Sequence, residues 1–383
     1  MASDTLIKIS LKFIRVSYKT CWTFIQLQNK DGQIGEGEAS LTGREDLLQE
    51  AARCILPKVL NEARPSEPSS FAQRNPPSDI AKSSIVSAID QALWSLYAQT
   101  VSSSLAEAIG SCRKTIPVYA NINRRTENRS PDGFAKSARA AVETGHVAFK
   151  IAPFDEVSPR ICAEGAGQNA MQAGLDRIAA VREMVGPDRR LMVDCHWRFD
   201  EKTASKLNEM LAKLGVYWVE CPIPEVESNI PALARLRHQC NGLSMRQAGL
   251  ETNIGWDSFR PYCEGGAYDV VMPDIKYIGG IHELQRTAAE SESLGIQVSP
   301  HNPSGPIAHA ASLQLSEVLT EFDMLELQFD ESSLFDDLVG APFLPIKNGY
   351  TKVPQGQGLG VNLVESVMQT TFERQTLEWS ASR

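Results

Sequence analysis

The spacing of apolar and polar positions changes character near Pro117. Before it, Ile9–Val16 and Trp22–Gln28 read as extended runs, followed by the turn tetrapeptide Asn29-Lys30-Asp31-Gly32 and the short run Ile34–Glu38. Apolar runs broken by a Gly-bearing turn predict an antiparallel hairpin or meander. Two helical patterns follow, Leu47–Leu60 and Ile85–Ala98, the second placing Ile85, Ala88, Ile89, Ala92, Leu93 and Leu96 on one face. Asn61–Pro77, rich in Pro, Ser and Glu, reads as a loop.

After Pro117, eight short β-branched or aromatic runs recur, each followed by a longer helical segment. They are Val118–Ala120, Val147–Ile151, Leu191–Asp194, Val216–Glu220, Leu243–Met245, Tyr268–Met272, Ile296–Ser299 and Met324–Leu327. Strands alternating with helices imply parallel pairing through right-handed crossovers, and eight such units suit a closed (β/α)8 barrel. The alternative, an open doubly wound sheet, lacks its phosphate-binding signature, since Gly35-Glu36-Gly37 has no third glycine and lies in the meander. The Gly-rich tail Gly356–Val361 reads as a loop returning to the N-terminal unit.

Of the 383 residues, 42% are apolar and 22% charged, the balance of a well-packed globular chain. The net charge of −9, with no basic patch, speaks against nucleic acid as a partner. No apolar stretch approaches the ~20 residues that cross a bilayer. Met1–Lys12, interrupted by Asp4 and Lys8, does not read as a signal peptide. The eight cysteines (Cys21, Cys54, Cys112, Cys162, Cys195, Cys221, Cys240 and Cys263) show no paired spacing. Reduced thiols and a cytoplasmic location are therefore expected.

Chemistry collects at the C-terminal ends of the barrel strands, where such a fold builds its site. Asp194 ends the third strand, Glu220 the fourth, and Glu251 follows the fifth, at gaps of 26 and 31 residues. Three converging carboxylates repel one another unless a cation sits among them, and an all-oxygen set favours Mg²⁺ or Mn²⁺ over zinc. Asp274 follows the sixth strand and His301 the seventh, 27 residues apart. A carboxylate one strand away can hold the imidazole's tautomer and raise its basicity, making a general-base pair. His196, two residues past Asp194, is a second proton-transfer candidate. His146, His238, His282 and His309 fall in helical or loop contexts and read as structural.

Taken in order, Asp194, Glu220, Glu251, Met272-Pro273-Asp274 with Ile278-Gly279-Gly280, and Pro300-His301 resemble the enolase superfamily in its mandelate racemase branch. The resemblance extends to Gly35–Glu38, to Ser87–Trp94 and to Gly358–Val361. It implies an α/β fold: a modified (β/α)8 TIM barrel at 117–355 beneath an α+β capping domain formed by 1–116 and by a C-terminal segment, 356–383. It also implies one Mg²⁺ per subunit, with Mn²⁺ an alternative, a small carboxylate substrate that loses its α-proton, and a homo-oligomer.

Departures from the family pattern narrow the expectation. Lysine-base members carry Lys-x-Lys after the second strand, but here Lys150-Ile151-Ala152 lacks the second lysine, leaving Lys150 to neutralise the substrate carboxylate. Asp194-Cys195-His196 resembles the galactonate-type sugar-acid dehydratases, in which the histidine protonates the departing 3-hydroxyl and a 2-keto-3-deoxy acid results. Glu326, at the eighth strand, matches a position that hydrogen-bonds the substrate carboxylate and would have to be protonated to donate. Cys221 stands where many relatives have a second glutamate, and Glu251 is displaced by one residue from the usual spacing. Asn121, Asn123, Arg198 and Asn302, with the loops Tyr18–Trp22 and Ala39–Arg44, are the expected specificity elements. The rival readings are a one-base epimerase or cycloisomerase, and a barrel without catalysis.

Overall fold

The computed structural model describes residues 4–110, 115–340, 342–370 and 374–381. Cys112 lies outside the described residues, and the other seven cysteines are free thiols. Among the described residues no helix is long and apolar enough to cross a membrane.

The N-terminal sheet is antiparallel, formed by β1 (Leu6–Arg15), β2 (Cys21–Asn29) and β3 (Ile34–Glu38). The last strand, Arg374–Ser380, pairs with β1, so the sheet runs last strand, β1, β2, β3. Helices Glu45–Glu62 and Ile80–Thr100 pack on this sheet around a core that includes Leu11, Ile25, Leu27, Leu56 and Ile89. Asn61–Pro77 is not wholly a loop: Ser70–Arg74 makes a short helix that buries Phe71 and Ala72.

The larger unit is built on eight parallel strands, β4 (Ile116–Asn121), β5 (Ala148–Ile151), β6 (Arg190–Asp194), β7 (Trp218–Glu220), β8 (Arg246–Gly249), β9 (Val270–Val271), β10 (Gln297–Val298) and β11 (Leu325–Gln328), with a ninth short strand, Tyr350–Thr351, antiparallel on β4. Neighbours pair in chain order, and β11 returns to pair with β4. The remaining gap is bridged by Val298 N donating to Glu321 O at 2.8 Å and Asp323 N to Val298 O at 3.0 Å, which closes the barrel. The eighth run is thus in place, but the fifth is shifted. Leu243–Met245 is a turn, with Ser244 at φ 61°, and the strand itself is Arg246–Gly249. Its polar Gln247 disguised it: the amide is buried and donates to Leu233 O and Ala267 O.

Side chains alternate across these strands. Tyr119, Ala148, Met192, Trp218, Ala248, Val270, Met272 and Met324 form a separate core inside the barrel. Their outward neighbours, such as Val118, Phe149, Leu191, Val193 and Val219, pack with the surrounding helices. An inward position two residues further along each strand therefore faces the top of the barrel.

The capping unit docks over that top. Helix Ile80–Thr100 is buried on nearly all sides, so its polar residues must find partners across the junction. Gly279 N donates to Ser87 Oγ at 2.9 Å, and Ile281 N to Asp90 Oδ2 at 2.7 Å. From β3, Glu38 accepts from Gly305 N at 2.8 Å and Ala308 N at 2.9 Å, capping the N-terminus of helix Pro306–Ser316.

Candidate active site

Strand alternation places the polar layer. Two residues beyond Tyr119, Ala148, Met192, Trp218 and Met324 come Asn121, Lys150, Asp194, Glu220 and Glu326, all buried above the apolar core. Asp194 and Glu220 are register partners on β6 and β7. On β8 the inward residue is Ala248, so Glu251 would point away under strict alternation. Leu250, held at φ 73°, breaks the extended path and turns Glu251 inward. That turn absorbs the one-residue displacement seen in the sequence.

Ligand atoms of Asp194, Glu220 and Glu251 all lie within 4.8 Å of one another. Lys150 Nζ contacts Glu220 Oε1 at 2.6 Å and Glu326 Oε1 at 2.9 Å. Burial raises Glu220 well above the usual carboxylate range, and Asp194, Glu251 and Glu326 push the same way against Lys150. One ammonium among four carboxylates leaves surplus negative charge. Glu251 Oε2, buried, makes no hydrogen bond. A buried carboxylate oxygen that makes no hydrogen bond, in an all-oxygen triad, fits a hard dication such as Mg²⁺ or Mn²⁺.

Across the cavity, His301 Nδ1 lies 2.7 Å from Asp274 Oδ2, and its Nε2 faces the triad, 3.3 Å from Glu251 Oε2. Burial works against the charge of Asp274, but Lys276 and His301 hold its carboxyl below the usual range. Lys276 Nζ donates to Asp274 Oδ2 at 2.6 Å and is itself buried. His196 adopts φ 47° and returns its ring to the first carboxylate, with Nε2 2.7 Å from Asp194 Oδ2. The charge of Asp194 raises this imidazole above its ordinary value. His196, Glu251 and His301 line one cavity of about 780 Å³, roofed by Trp22, Leu41 and Arg44 from the capping unit.

Other expected residues are placed differently. Asn121 and Lys150 line the cavity, but Asn121 is bonded to Glu326 at 2.6 Å and two contacts of Lys150 are carboxylates. Glu326 lies behind them. Burial opposes its ionisation, but Lys150, His301 and Asn121 outweigh that and lower it, and its carboxylate receives Lys150 at 2.9 Å and the Asn121 amide at 2.6 Å. The lowering is opposite to the direction a protonated donor would need. Asn302 faces away from the cavity, with its amide on His309 Nδ1 and Glu326 O. Arg198 is turned to the backbone, donating to Asp155 O and Val157 O. Ala152 offers no base, and its carbonyl accepts from Arg129.

Glu225, Trp197 and Tyr277 also line the cavity and were missed in the sequence. Glu225 borders the cavity, yet the protein around it withdraws the carboxyl from bulk water and pushes it up to about 7. Its signal was faint, a single acid at the end of Pro222-Ile223-Pro224 in the loop after β7. Lys276, two residues beyond Asp274, was legible only as the cation a buried carboxylate needs.

A family model described as enolase C-terminal domain-like matches residues 133–367. Among curated proteins, a D-gluconate dehydratase of Thermoproteus tenax is 29% identical over 356 residues, spanning 90% of this chain and 68% of that protein. A D-gluconate/D-galactonate dehydratase of Picrophilus torridus is 26% identical over 364 residues, spanning 90% and 87%. Among solved structures, a mandelate racemase/muconate lactonizing enzyme from Sulfitobacter sp. superposes with a TM-score of 0.85 at 20% identity, covering 96% of each chain.

Proposed function

The chain belongs to the enolase superfamily, and from that premise we propose that it is a hydro-lyase that dehydrates an acid sugar to a 2-keto-3-deoxy acid. The observation that carries this reading is one cavity holding a carboxylate triad, an imidazole–carboxylate pair and a second imidazole.

Asp194, Glu220 and Glu251 would hold Mg²⁺ or Mn²⁺, which when bound would supply positive charge to the substrate carboxylate as its α-proton becomes acidic. His301 acts as the base. With Nδ1–H directed to Asp274, its Nε2 lone pair is free to take the proton from C2. Asp274 stabilises the resulting imidazolium, and Lys276 keeps Asp274 ionised and fixed. His196 gives a proton to the C3 hydroxyl, so that the C–O bond breaks and water leaves. The electron pair from the C2–H bond becomes the C2=C3 bond of an enol, which ketonises by gaining a proton at C3. Glu326 anchors Lys150 and Asn121 beneath the substrate instead of donating to it.

His196 lines the cavity with its side chain 39% exposed, the placement that a dehydratase needs and a one-base epimerase does not. The test is a panel of acid sugars with Mg²⁺, assayed for 2-keto acid and for exchange of the α-proton. Wild type is expected to turn over at least one of them. His301→Asn should lose both activities, whereas His196→Asn should keep exchange and lose ~10²–10⁴-fold in dehydration. Turnover that survives in both variants overturns the assignment.

A further inference from the structure

Four non-glycine residues at the site have left-handed backbone: His196 at φ 47°, Trp197 at 57°, Cys221 at 46° and Leu250 at 73°. Such conformations cost about 1–3 kcal/mol each and persist only where the surroundings enforce them. Each is a site residue or the immediate chain neighbour of one. Trp197 follows His196, Cys221 follows Glu220, and Leu250 precedes Glu251.

One side chain meets all three neighbours. Glu225 Oε2 accepts from Trp197 Nε1 at 2.9 Å, and its Oε1 from Leu250 N at 2.8 Å, with Cys221 Sγ 3.9 Å from the same oxygen. Tyr268 Oη donates to Oε1 at 2.6 Å and holds the carboxylate from behind. Space for the carboxylate depends on Gly249, where an added Cβ would lie 2.4 Å from Glu225 Oε1 and 2.7 Å from the Tyr268 ring. Among the described residues, the other non-glycine left-handed positions, Ser102, Ser244, Asp330 and Asn348, have no part in this arrangement.

We propose that Glu225 is the positioning residue of the site: through Trp197, Cys221 and Leu250 it ties together the three turns that present His196, Glu220 and Glu251. It touches the cavity but performs no proton transfer. Its two oxygens are divided, with Oε2 serving the turn of the acid and Oε1 the turns of two metal ligands. Removing the Oε1 contacts frees Leu250 to relax toward extended backbone, which swings Glu251 out of the triad. Removing the Oε2 contact alone loosens His196. The inference rests on the metal-dependent reading above.

Mn²⁺ binding to the metal-free full chain, followed by electron paramagnetic resonance, gives a readout independent of turnover. Glu225→Gln keeps the volume but leaves one neutral acceptor oxygen, and should weaken Mn²⁺ ~10–100-fold, the usual cost of losing an outer-shell partner. Gly249→Ala, which forces the carboxylate off Leu250 without changing it, should weaken Mn²⁺ similarly and serves if Glu225→Gln does not fold. Trp197→Phe should hold Mn²⁺ within threefold of wild type yet lose dehydration relative to α-proton exchange. If wild type binds no Mn²⁺, the metal-dependent function falls. If wild type binds it and a folded Glu225→Gln or Gly249→Ala binds it equally, the positioning role is overturned.

Discussion

At the scale of the residue, the site is a problem in charge. Lys150 is fully buried between Glu220 and Glu326, and breaking such a pair from one side leaves carboxylates uncompensated. Lys150→Met should destabilise the metal-free protein by about 3–5 kcal/mol in urea titration. Lys150→Met combined with Glu326→Gln should recover part of that loss, and no recovery would contradict the pairing. His309 shows the opposite strategy, a buried imidazole kept neutral. Burial pushes it down to about 3, with Nδ1 2.8 Å from the Asn302 amide nitrogen. Because its folded value lies below the unfolded ~6.5, the unfolded chain binds the proton first as the medium acidifies. Its contribution is complete above about pH 6.5 and shrinks as pH falls toward about 3. Between pH 7 and 5 this amounts to about 2 kcal/mol, so His309→Gln should lose that much less stability than wild type over the same interval. Equal losses in calorimetry would count against a neutral His309.

Among elements, short strands and the turns after them do the positioning. Asp194, Glu220, Glu251, Asp274 and His301 were legible because each stands at or just beyond a strand end, about one repeat from the next. Glu225 was not, since apart from Cys221 the residues it contacts lie 25 to 43 positions away, which no local pattern reveals. Arg198 and Asn302 were misplaced for a related reason: polarity beside a site does not say which way a side chain turns. Gly280, in the Gly279-Gly280 pair, is required on two counts, its φ of 118° and an added Cβ that would lie 2.7 Å from Asp90 Cγ. Gly280→Ala should cost about 2–4 kcal/mol, combining backbone strain with overpacking. Asp90→Ala in the same chain removes the contacts with Cγ and Oδ2 but leaves Asp90 Cβ 2.9 Å away and the strain in place. A thermal melt should therefore show only partial rescue.

For the whole molecule, fold and site are joined by the seam between cap and barrel. The eight-fold alternation of strand and helix made the barrel readable, and the Gly-bearing meander made the small sheet readable. The junction was not, because helix Ile80–Thr100 is buried on nearly all sides and its period shows only one of its faces. Glu38 crosses that seam to cap the helix that follows His301. Glu38→Ala should leave two buried N–H groups unsatisfied and lower stability by about 2–4 kcal/mol in urea titration. Since Trp22, Leu41 and Arg44 of the cap roof the cavity, KM for the substrate should rise with it. An unchanged KM together with unchanged stability would show that the seam is held elsewhere.

The most direct measurement is proton NMR of the Mg²⁺-loaded enzyme with a panel of acid sugars in D2O. The predicted result is a 2-keto-3-deoxy acid carrying a single deuteron at C3, formed only with metal and abolished by a chelator. A product without deuterium at C3, or one formed at the same rate after chelation, would contradict the mechanism.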